Sequence, residues 1–241
     1  AIYLLGTQKT AGDADTARAL LRRLAGMVPD NPYVPADLVA ADEAARGRGL
    51  EGVTYVLFAP GTAASLREIR INLPLFLVTD DVDYVGVAFP ILRFHDAYTP
   101  YLEVAADEAV LDTRVIADMD RIVAAEFNAE LPSILTRHIA SAAAKNTAAW
   151  AVSQAADNVW ASLALGVYQS WQNRADIRTW ATLPKQYQYA RVETPESGVL
   201  TVRTPDGRTA SFDVEQEGVN FVYVRCIRPG RPLIAHHAHL K

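Results

Sequence analysis

The chain has 241 residues, of which 50% are apolar and 21% are charged, so it is long enough and apolar enough to bury a substantial core. It has 23 Lys and Arg residues against 28 Asp and Glu, a net charge of -5, and no basic run, which excludes phosphate-driven binding of nucleic acid. Its single cysteine, Cys226, excludes an internal disulfide framework and a cysteine-based metal cluster.

Residues 1–47 predict two short amphipathic helices. Leu20, Leu21 and Leu24 share one face of the first, and Pro35 opens the second. Two such helices joined by Pro and Asn resemble part of a tetratricopeptide-type repeat, which needs several copies to bury its core. The segment is therefore either the end of a repeat array or a cap on the next domain.

Residues 48–241 predict one α+β domain. Its first part contains β-rich runs over 53–58, 67–78, 82–92 and 101–105, and Pro74 breaks the second of these. Helical spacing then predicts long helices over about 115–174, with an end or a kink at Pro132.

A C-terminal β segment follows over about 185–228. The turn Pro205-Asp206-Gly207 predicts a hairpin, and residues 219–227, apolar on both faces, predict a central strand. The tail beyond residue 228 is expected to be loosely held. The predicted fold class is thus α+β, with β segments before and after a central set of long helices forming one sheet or two packed sheets, and a short N-terminal, tetratricopeptide-like helical appendage.

The junction between the helices and the C-terminal strands contains Trp180, Leu183 and Pro184. Because large aromatic side chains usually serve a core, we expect Trp180 and Leu183 to cover the helix end and fix the turn. The alternative is a ligand platform, for which the candidate binding residues are Trp180, Tyr187 and Tyr189.

Four stretches carry a family resemblance over roughly residues 50–228: DIRTWATLPKQYQYARV, YVLFAPGTAASLREIRINLPLFLV, YVGVAFPIL and VIADMDRIVAAEFNAELPSILTRHI. They resemble an uncharacterised family of bacterial envelope lipoproteins that pair an N-terminal tetratricopeptide-like region with a C-terminal α+β domain. The resemblance implies a periplasmic protein in a cell-wall setting. It also implies tethering to the outer membrane through a lipid anchor outside this chain, and it supplies no catalytic residues.

The start of the chain, AIYLLGTQKT, has neither a Met nor the basic start and long apolar core of a signal peptide. We therefore interpret the chain as a fragment or a processed form. Any lipid-anchor signal would precede residue 1.

Histidines at the C-terminus are the candidate metal ligands. The spacing of His236, His237 and His239 can supply two or three imidazoles to a metal ion, although a flexible tail without a carboxylate favours an adventitious site. Asp80, Asp81 and Asp83 form an acidic cluster of the kind that can bind a hard cation, but we expect this cluster to be a solvated turn.

Motifs for nucleophilic, metal-dependent or nucleotide chemistry are absent from the sequence, and no cofactor is predicted. This favours a non-catalytic envelope protein that binds or scaffolds a protein partner. One alternative is a cell-wall-active hydrolase that gathers dispersed residues such as His95, Asp96 and Asp118. The other is a carrier that holds a metal or a small ligand through the C-terminal histidines.

Overall fold

The computed structural model describes residues 1–7, 12–48, 50, 52–74, 84–155 and 177–240, which contain four helices and eleven strands. The fold is mixed α+β as predicted, but strands dominate it. The helices are α1 Ile2–Thr7, α2 Asp13–Met27, α3 Val34–Ala44 and α4 Met119–Ala155. The strands are β1 Val53–Pro60, β2 Ser65–Pro74, β3 Tyr84–Arg93, β4 Glu103–Ala106, β5 Ala109–Asp112, β6 Arg114–Asp118, β7 Gln186–Glu193, β8 Val199–Arg203, β9 Thr209–Asp213, β10 Val219–Cys226 and β11 Ile234–Leu240.

The chain divides into two compact units. The first unit comprises Ala1–Ala63, His95–Met119 and Thr182–Lys241, and the second comprises Ala64–Phe94 and Asp120–Ala181. This division does not follow the predicted boundary between residues 47 and 48. The three N-terminal helices belong to the same unit as the C-terminal strands, because their apolar side chains share a core with that sheet.

Two sheets form the framework of the first unit. The larger has the order β11-β10-β1-β7-β6, in which β1 and β10 run parallel and the other neighbours run antiparallel. The smaller is an antiparallel sheet of order β5-β4-β8-β9, which contains the predicted hairpin as β8 and β9. Strand β10 is an internal strand with a neighbour on each side, as its apolar sequence predicted, and β1 is the middle strand.

Strand alternation gives the larger sheet two buried faces. Val56 and Phe58 of β1 face the smaller sheet, where they meet Leu102, Val104 and Leu200. On the opposite face, the helices contribute Leu5, Leu21 and Val34 to a second core that includes Tyr55 and Val219. The first unit is therefore built in three layers: helices, five-stranded sheet and four-stranded sheet.

The second unit contains the hairpin of β2 and β3 and the helix α4. The hairpin pairs ten residues of each strand, from Ser65 opposite Arg93 to Pro74 opposite Tyr84. Helix α4 has 37 residues and is therefore about 55 Å long. The carboxylate of Asp120, in its first turn, accepts a hydrogen bond from the Ala64 amide at 2.7 Å, and this bond joins the helix to the hairpin.

The structure corrects the predicted helices in two places. Residues 115–118 belong to β6, which pairs with β7 through a bulge between Val115 and Ala117, because the β-branched Val115 and Ile116 suit a strand as well as a helix. At Pro132 the sequence predicted either an end or a kink of the helix. Helix α4 continues through Pro132, so the prediction that the helix ends there is wrong. A proline removes one backbone hydrogen bond, and here the helical turns on both sides persist.

The predicted tail and the N-terminal appendage also differ from the structure. Residues 234–240 form β11, because β10 is apolar on both faces and its outer edge accepts another strand. The tetratricopeptide-like arrangement is not confirmed, since α1–α3 pack on the sheet. The last part of the predicted helices, residues 156–174, lies outside the described residues.

Candidate functional site

A buried carboxylate in the first turn of α3 connects the helical layer to the five-stranded sheet. Asp37 is only 1% exposed. The Tyr55 hydroxyl donates to its Oδ1 at 2.6 Å, and the Tyr189 hydroxyl donates to its Oδ2 at 3.1 Å. Arg191 Nε lies 3.1 Å from Oδ1. We call these four residues the Asp37 centre.

Sheet register brings the partners of Asp37 together. Tyr55 on β1 lies directly opposite Arg191 on β7, and Tyr189 lies two residues before Arg191, so all three side chains project from the same sheet face. The ring of Tyr33 packs edge-on against that of Tyr189 with centroids 5.5 Å apart. The Tyr33 hydroxyl donates to the Asp112 carbonyl oxygen, which fixes the residue just before α3.

Burial sets the protonation of this centre. Desolvation raises the pKa of Asp37, while the hydrogen bond from Tyr55 and the charge of Arg191 oppose the rise. Desolvation, followed by the negative charge of Asp37, raises the pKa values of Tyr55 and Tyr189 far above their ordinary range, so both phenols remain protonated donors. Arg191 Nε makes no hydrogen bond with a described residue, so it contributes charge rather than a directed bond.

A cavity of about 160 Å³ adjoins the Asp37 centre and is partly open to the surface. We call it the helix–sheet cavity. Asp37, Tyr55 and Tyr189 border it, but their polar atoms are directed at one another rather than into the cavity. Its apolar walls include Leu21, Leu24, Leu57, Ile116 and Phe221. Almost all of the surface that faces the cavity is apolar, and Asp37 and Tyr55 are buried behind it, so the space suits only a small apolar group.

A second polar cluster surrounds Cys226, which is fully buried. Both terminal nitrogens of Arg208 lie 3.6 Å from the Sγ, and Thr99 Oγ1 lies 3.2 Å from it. Hydrogen bonds from Arg208 and Thr204 lower the pKa of Asp206 to about 2. These contacts join the turn between β8 and β9 to the end of β10, which is a structural role.

Trp180 does not take the position that was predicted for it. It is 73% exposed, so the interpretation that it covers a helix end is wrong. Trp180 belongs to the second unit, whereas Tyr187 and Tyr189 lie on β7 of the first. Tyr189 is buried in the Asp37 centre and Tyr187 is half-buried, so neither unit contains the predicted three-residue platform.

The three C-terminal histidines are divided between the two faces of β11. His236 projects from one face, and His237 and His239 project from the other. His237 Nε2 is hydrogen-bonded to Asn220 Oδ1 at 3.0 Å and His239 Nε2 to the Glu217 carbonyl oxygen at 2.7 Å. Among the described residues, no group of three or more His, Cys, Asp or Glu side chains is placed to hold a metal ion. The acidic residues 80, 81 and 83 lie outside the described ranges.

The residues considered for a dispersed hydrolase have structural partners. Asp96 Oδ1 lies 3.9 Å from Lys185 Nζ, and Asp118 Oδ2 accepts a hydrogen bond from Gln186 Nε2 at 3.3 Å. Both contacts connect loops or strand ends to the start of β7. The Asp118 contact connects the end of β6 to the start of β7, whereas the Asp96 side chain is 95% exposed and its ion pair contributes little.

Comparison of the chain with protein-family models, with curated proteins and with solved structures found no match. Within the described residues, no helix combines the length and the apolarity needed to cross a membrane. Function is therefore inferred from the sequence and from the side-chain geometry.

Proposed function

We propose that the chain is a non-catalytic binding or scaffold protein of the bacterial cell envelope that engages a protein partner in a cell-wall-related assembly. In this proposal it is periplasmic and tethered to the outer membrane by a lipid anchor outside the chain. The resemblance over roughly residues 50–228 supports the location. The observation that carries the binding role is the 73% exposure of Trp180.

An exposed indole favours a partner. Burying a tryptophan side chain is worth roughly 2–3 kcal/mol or more, and leaving Trp180 exposed forgoes that stabilisation in the isolated chain. Ile177, three residues earlier, is 47% exposed. The second unit also exposes Phe94, Ile122 and Leu135. Exposed large apolar side chains are typical of interaction surfaces, and tryptophan is enriched among the residues that dominate binding energy.

Buried polar groups hold the loops of the first unit in place. The amide of Gln188 donates to the Pro100 carbonyl oxygen at 2.7 Å, and its carbonyl oxygen accepts from the Thr113 hydroxyl at 2.8 Å. Asn220 similarly donates to the Glu215 carbonyl oxygen at 2.7 Å and accepts from the amide of the same residue. These side chains are used to fix loops against strands.

The proposal is tested by quantitative affinity capture from bacterial envelope extract with the unaltered chain, Trp180→Ala and Val39→Ala. Val39 is a matched control, because it is 63% exposed but lies on α3 of the first unit. We expect Trp180→Ala to weaken partner capture about 30-fold, the effect of losing about 2 kcal/mol, and Val39→Ala to preserve it. Equal capture by both variants would refute the assignment of Trp180.

A further inference from the structure

We propose that the loop between β10 and β11 docks the first unit on an anionic lipid surface. We call residues 227–234, which read IRPGRPLI, the β10–β11 tip. Arg228 and Arg231 would contact the lipid headgroups, and Ile227 and Ile234 would enter the boundary between headgroups and acyl chains. This inference depends neither on Trp180 nor on the protein partner proposed above.

The β10–β11 tip exposes nearly its whole length. Every residue from 227 to 232 is exposed, whereas Leu233 is half-buried and packs against the core that the two sheets share. Ile227 is 45% exposed and Ile234 is 48% exposed, so a large apolar side chain meets water at each end of the tip. Exposed apolar side chains of this size mark surfaces that contact a protein or a membrane.

The tip carries an excess of positive charge. Neither Arg228 nor Arg231 forms an ion pair within the described part of the chain. The Asp206 carboxylate does touch the tip, because its Oδ2 accepts a hydrogen bond from the Gly230 amide at 3.2 Å. Arg208 Nη2 pairs with the same oxygen at 2.9 Å and neutralises it. The charges of the two tip arginines therefore remain available to an anionic partner.

The net charge of the chain, -5, does not prevent this contact. At physiological ionic strength the Debye length is about 8 Å, so a membrane interacts mainly with the charges close to the point of contact. One arginine near an anionic membrane strengthens binding about fivefold, the factor that corresponds to about 1 kcal/mol. The two arginines together then contribute about 25-fold.

Hydrogen bonds and prolines hold the tip in one conformation. The Arg208 guanidinium donates to the Arg231 carbonyl oxygen, and the Arg231 amide donates to the Arg228 carbonyl oxygen at 3.2 Å. Pro229 and Pro232 fix their own backbone φ angles. Because this backbone is ordered before it binds, docking loses little conformational entropy.

The form of the tip favours a membrane over an acidic peptide. Peptides are usually bound in a groove or along the edge of a sheet. The tip is instead an exposed loop between two paired strands. Its arginines and isoleucines match the two zones of a membrane interface, which are anionic headgroups and apolar acyl chains.

The first test measures co-sedimentation of the full chain with vesicles of pure phosphatidylglycerol and of pure phosphatidylcholine. We expect tighter binding to phosphatidylglycerol. This binding should weaken as salt rises from about 0.1 M to about 1 M, because the Debye length falls from about 10 Å to about 3 Å. Equal binding to both kinds of vesicle, or binding to neither, would overturn the proposal.

The second test removes the two arginines. The double variant Arg228→Gln, Arg231→Gln should bind phosphatidylglycerol vesicles about 25-fold more weakly than the unaltered chain. The matched control is Arg22→Gln, Arg23→Gln, which removes the same charge from exposed positions of α2. We expect a much smaller loss in the control. Equal losses in the two variants would refute the assignment to the tip.

The third test removes an apolar contact. Ile227→Ser should weaken binding to phosphatidylglycerol vesicles about fivefold, since about half of the isoleucine surface is available to enter the interface. Val199→Ser is the control, because Val199 is also exposed but lies on β8. Unchanged binding by Ile227→Ser would contradict insertion of the tip.

Two competitors separate a membrane from other anionic partners. We expect phosphate and chloride to weaken vesicle binding equally at equal ionic strength, and soluble poly-glutamate to bind the chain more weakly than the vesicles do. A stronger effect of phosphate would overturn the proposal in favour of a phosphate site. Tighter binding of poly-glutamate would overturn it in favour of an acidic peptide.

Discussion

Asp37 illustrates how much a single buried carboxylate constrains this molecule. Its contacts with Tyr55, Tyr189 and Arg191 connect α3 to β1 and β7. The two tyrosines lie 18 and 152 positions away in the sequence. The sequence places Asp37 in the first turn of a predicted helix, but no local pattern reveals partners at such separations, so the Asp37 centre could not be predicted.

We predict that the wild-type chain loses stability relative to Asp37→Asn as the pH rises. The ordinary carboxyl pKa is 3.8, and burial raises the pKa of Asp37 above it in the folded state. Between these two values the folded chain binds more protons than the unfolded chain, so its free energy of unfolding falls with rising pH. Urea unfolding between pH 3.5 and pH 7 measures this difference.

Asp30→Asn is the control for the pH experiment. Asp30 is exposed, and its substitution removes the same formal charge as Asp37→Asn. The comparison isolates the buried position of Asp37. A difference between the wild type and Asp37→Asn that grows in favour of the wild type with rising pH would contradict the raised pKa.

We predict that Arg208→Met raises the pKa of Asp206 from about 2 toward 3.8. Hydrogen bonds from Arg208 are the largest cause of the lowered value. The contribution of this pair to stability is present above pH 3.8 and is lost as the pH falls toward 2. NMR titration of the Asp206 side chain measures the shift, and an unchanged pKa in the variant would contradict the assigned cause.

Elements were predictable where alternation or a turn motif was unambiguous. The hairpin of β8 and β9 follows from its Pro-Asp-Gly turn, and the internal position of β10 follows from its apolar faces. Strand β6 was missed because Val115 and Ile116 fit both helical and strand spacing. Strand β11 was missed because its histidines indicate a polar tail. Its strand conformation depends on antiparallel pairing with β10, which the local sequence does not reveal.

We predict that Gly61→Ala destabilises the chain by about 2 kcal/mol more than Gly207→Ala. Both glycines have positive φ, at +67° and +84°, so alanine costs about 1–2 kcal/mol at either position. A Cβ at Gly61 would also lie 2.8 Å from Tyr98 Cβ and 2.9 Å from Lys185 Cβ. No described heavy atom lies within 4 Å of a Cβ at Gly207. Chemical denaturation compares the two variants, and equal losses would contradict the close packing around Gly61.

We predict that truncation after Pro232 removes hydrogen-exchange protection from β10. In the full chain β11 pairs with β10 from Val219 opposite Leu240 to Arg225 opposite Ile234. Without β11 the backbone groups on that side of β10 become accessible to water. Hydrogen-exchange mass spectrometry of residues 219–226 measures the change. Equal protection in the truncated chain would restore the interpretation of a loosely held tail.

At the scale of the whole molecule, the sequence predicted the α+β class but not the grouping of its parts. Each unit is assembled from separate stretches of chain, and the first unit alone uses three. Contacts between such distant stretches leave no periodic signal in the sequence. The N-terminal helices were therefore interpreted as either the end of a repeat array or a cap, and no pattern in the sequence showed that they form a layer of the first unit.

The exposure of Trp180 also follows from no local pattern, because a junction rich in aromatic and proline residues suits a packed turn as well as a binding surface. Its 73% exposure connects the structure to the proposed partner. The most direct measurement is site-specific photocrosslinking in living bacteria, with a photoreactive residue in place of Trp180 and, as the control, in place of Val39. We predict a reproducible adduct with one envelope protein from position 180 and none from position 39. No adduct at position 180 beyond that at position 39 would contradict it.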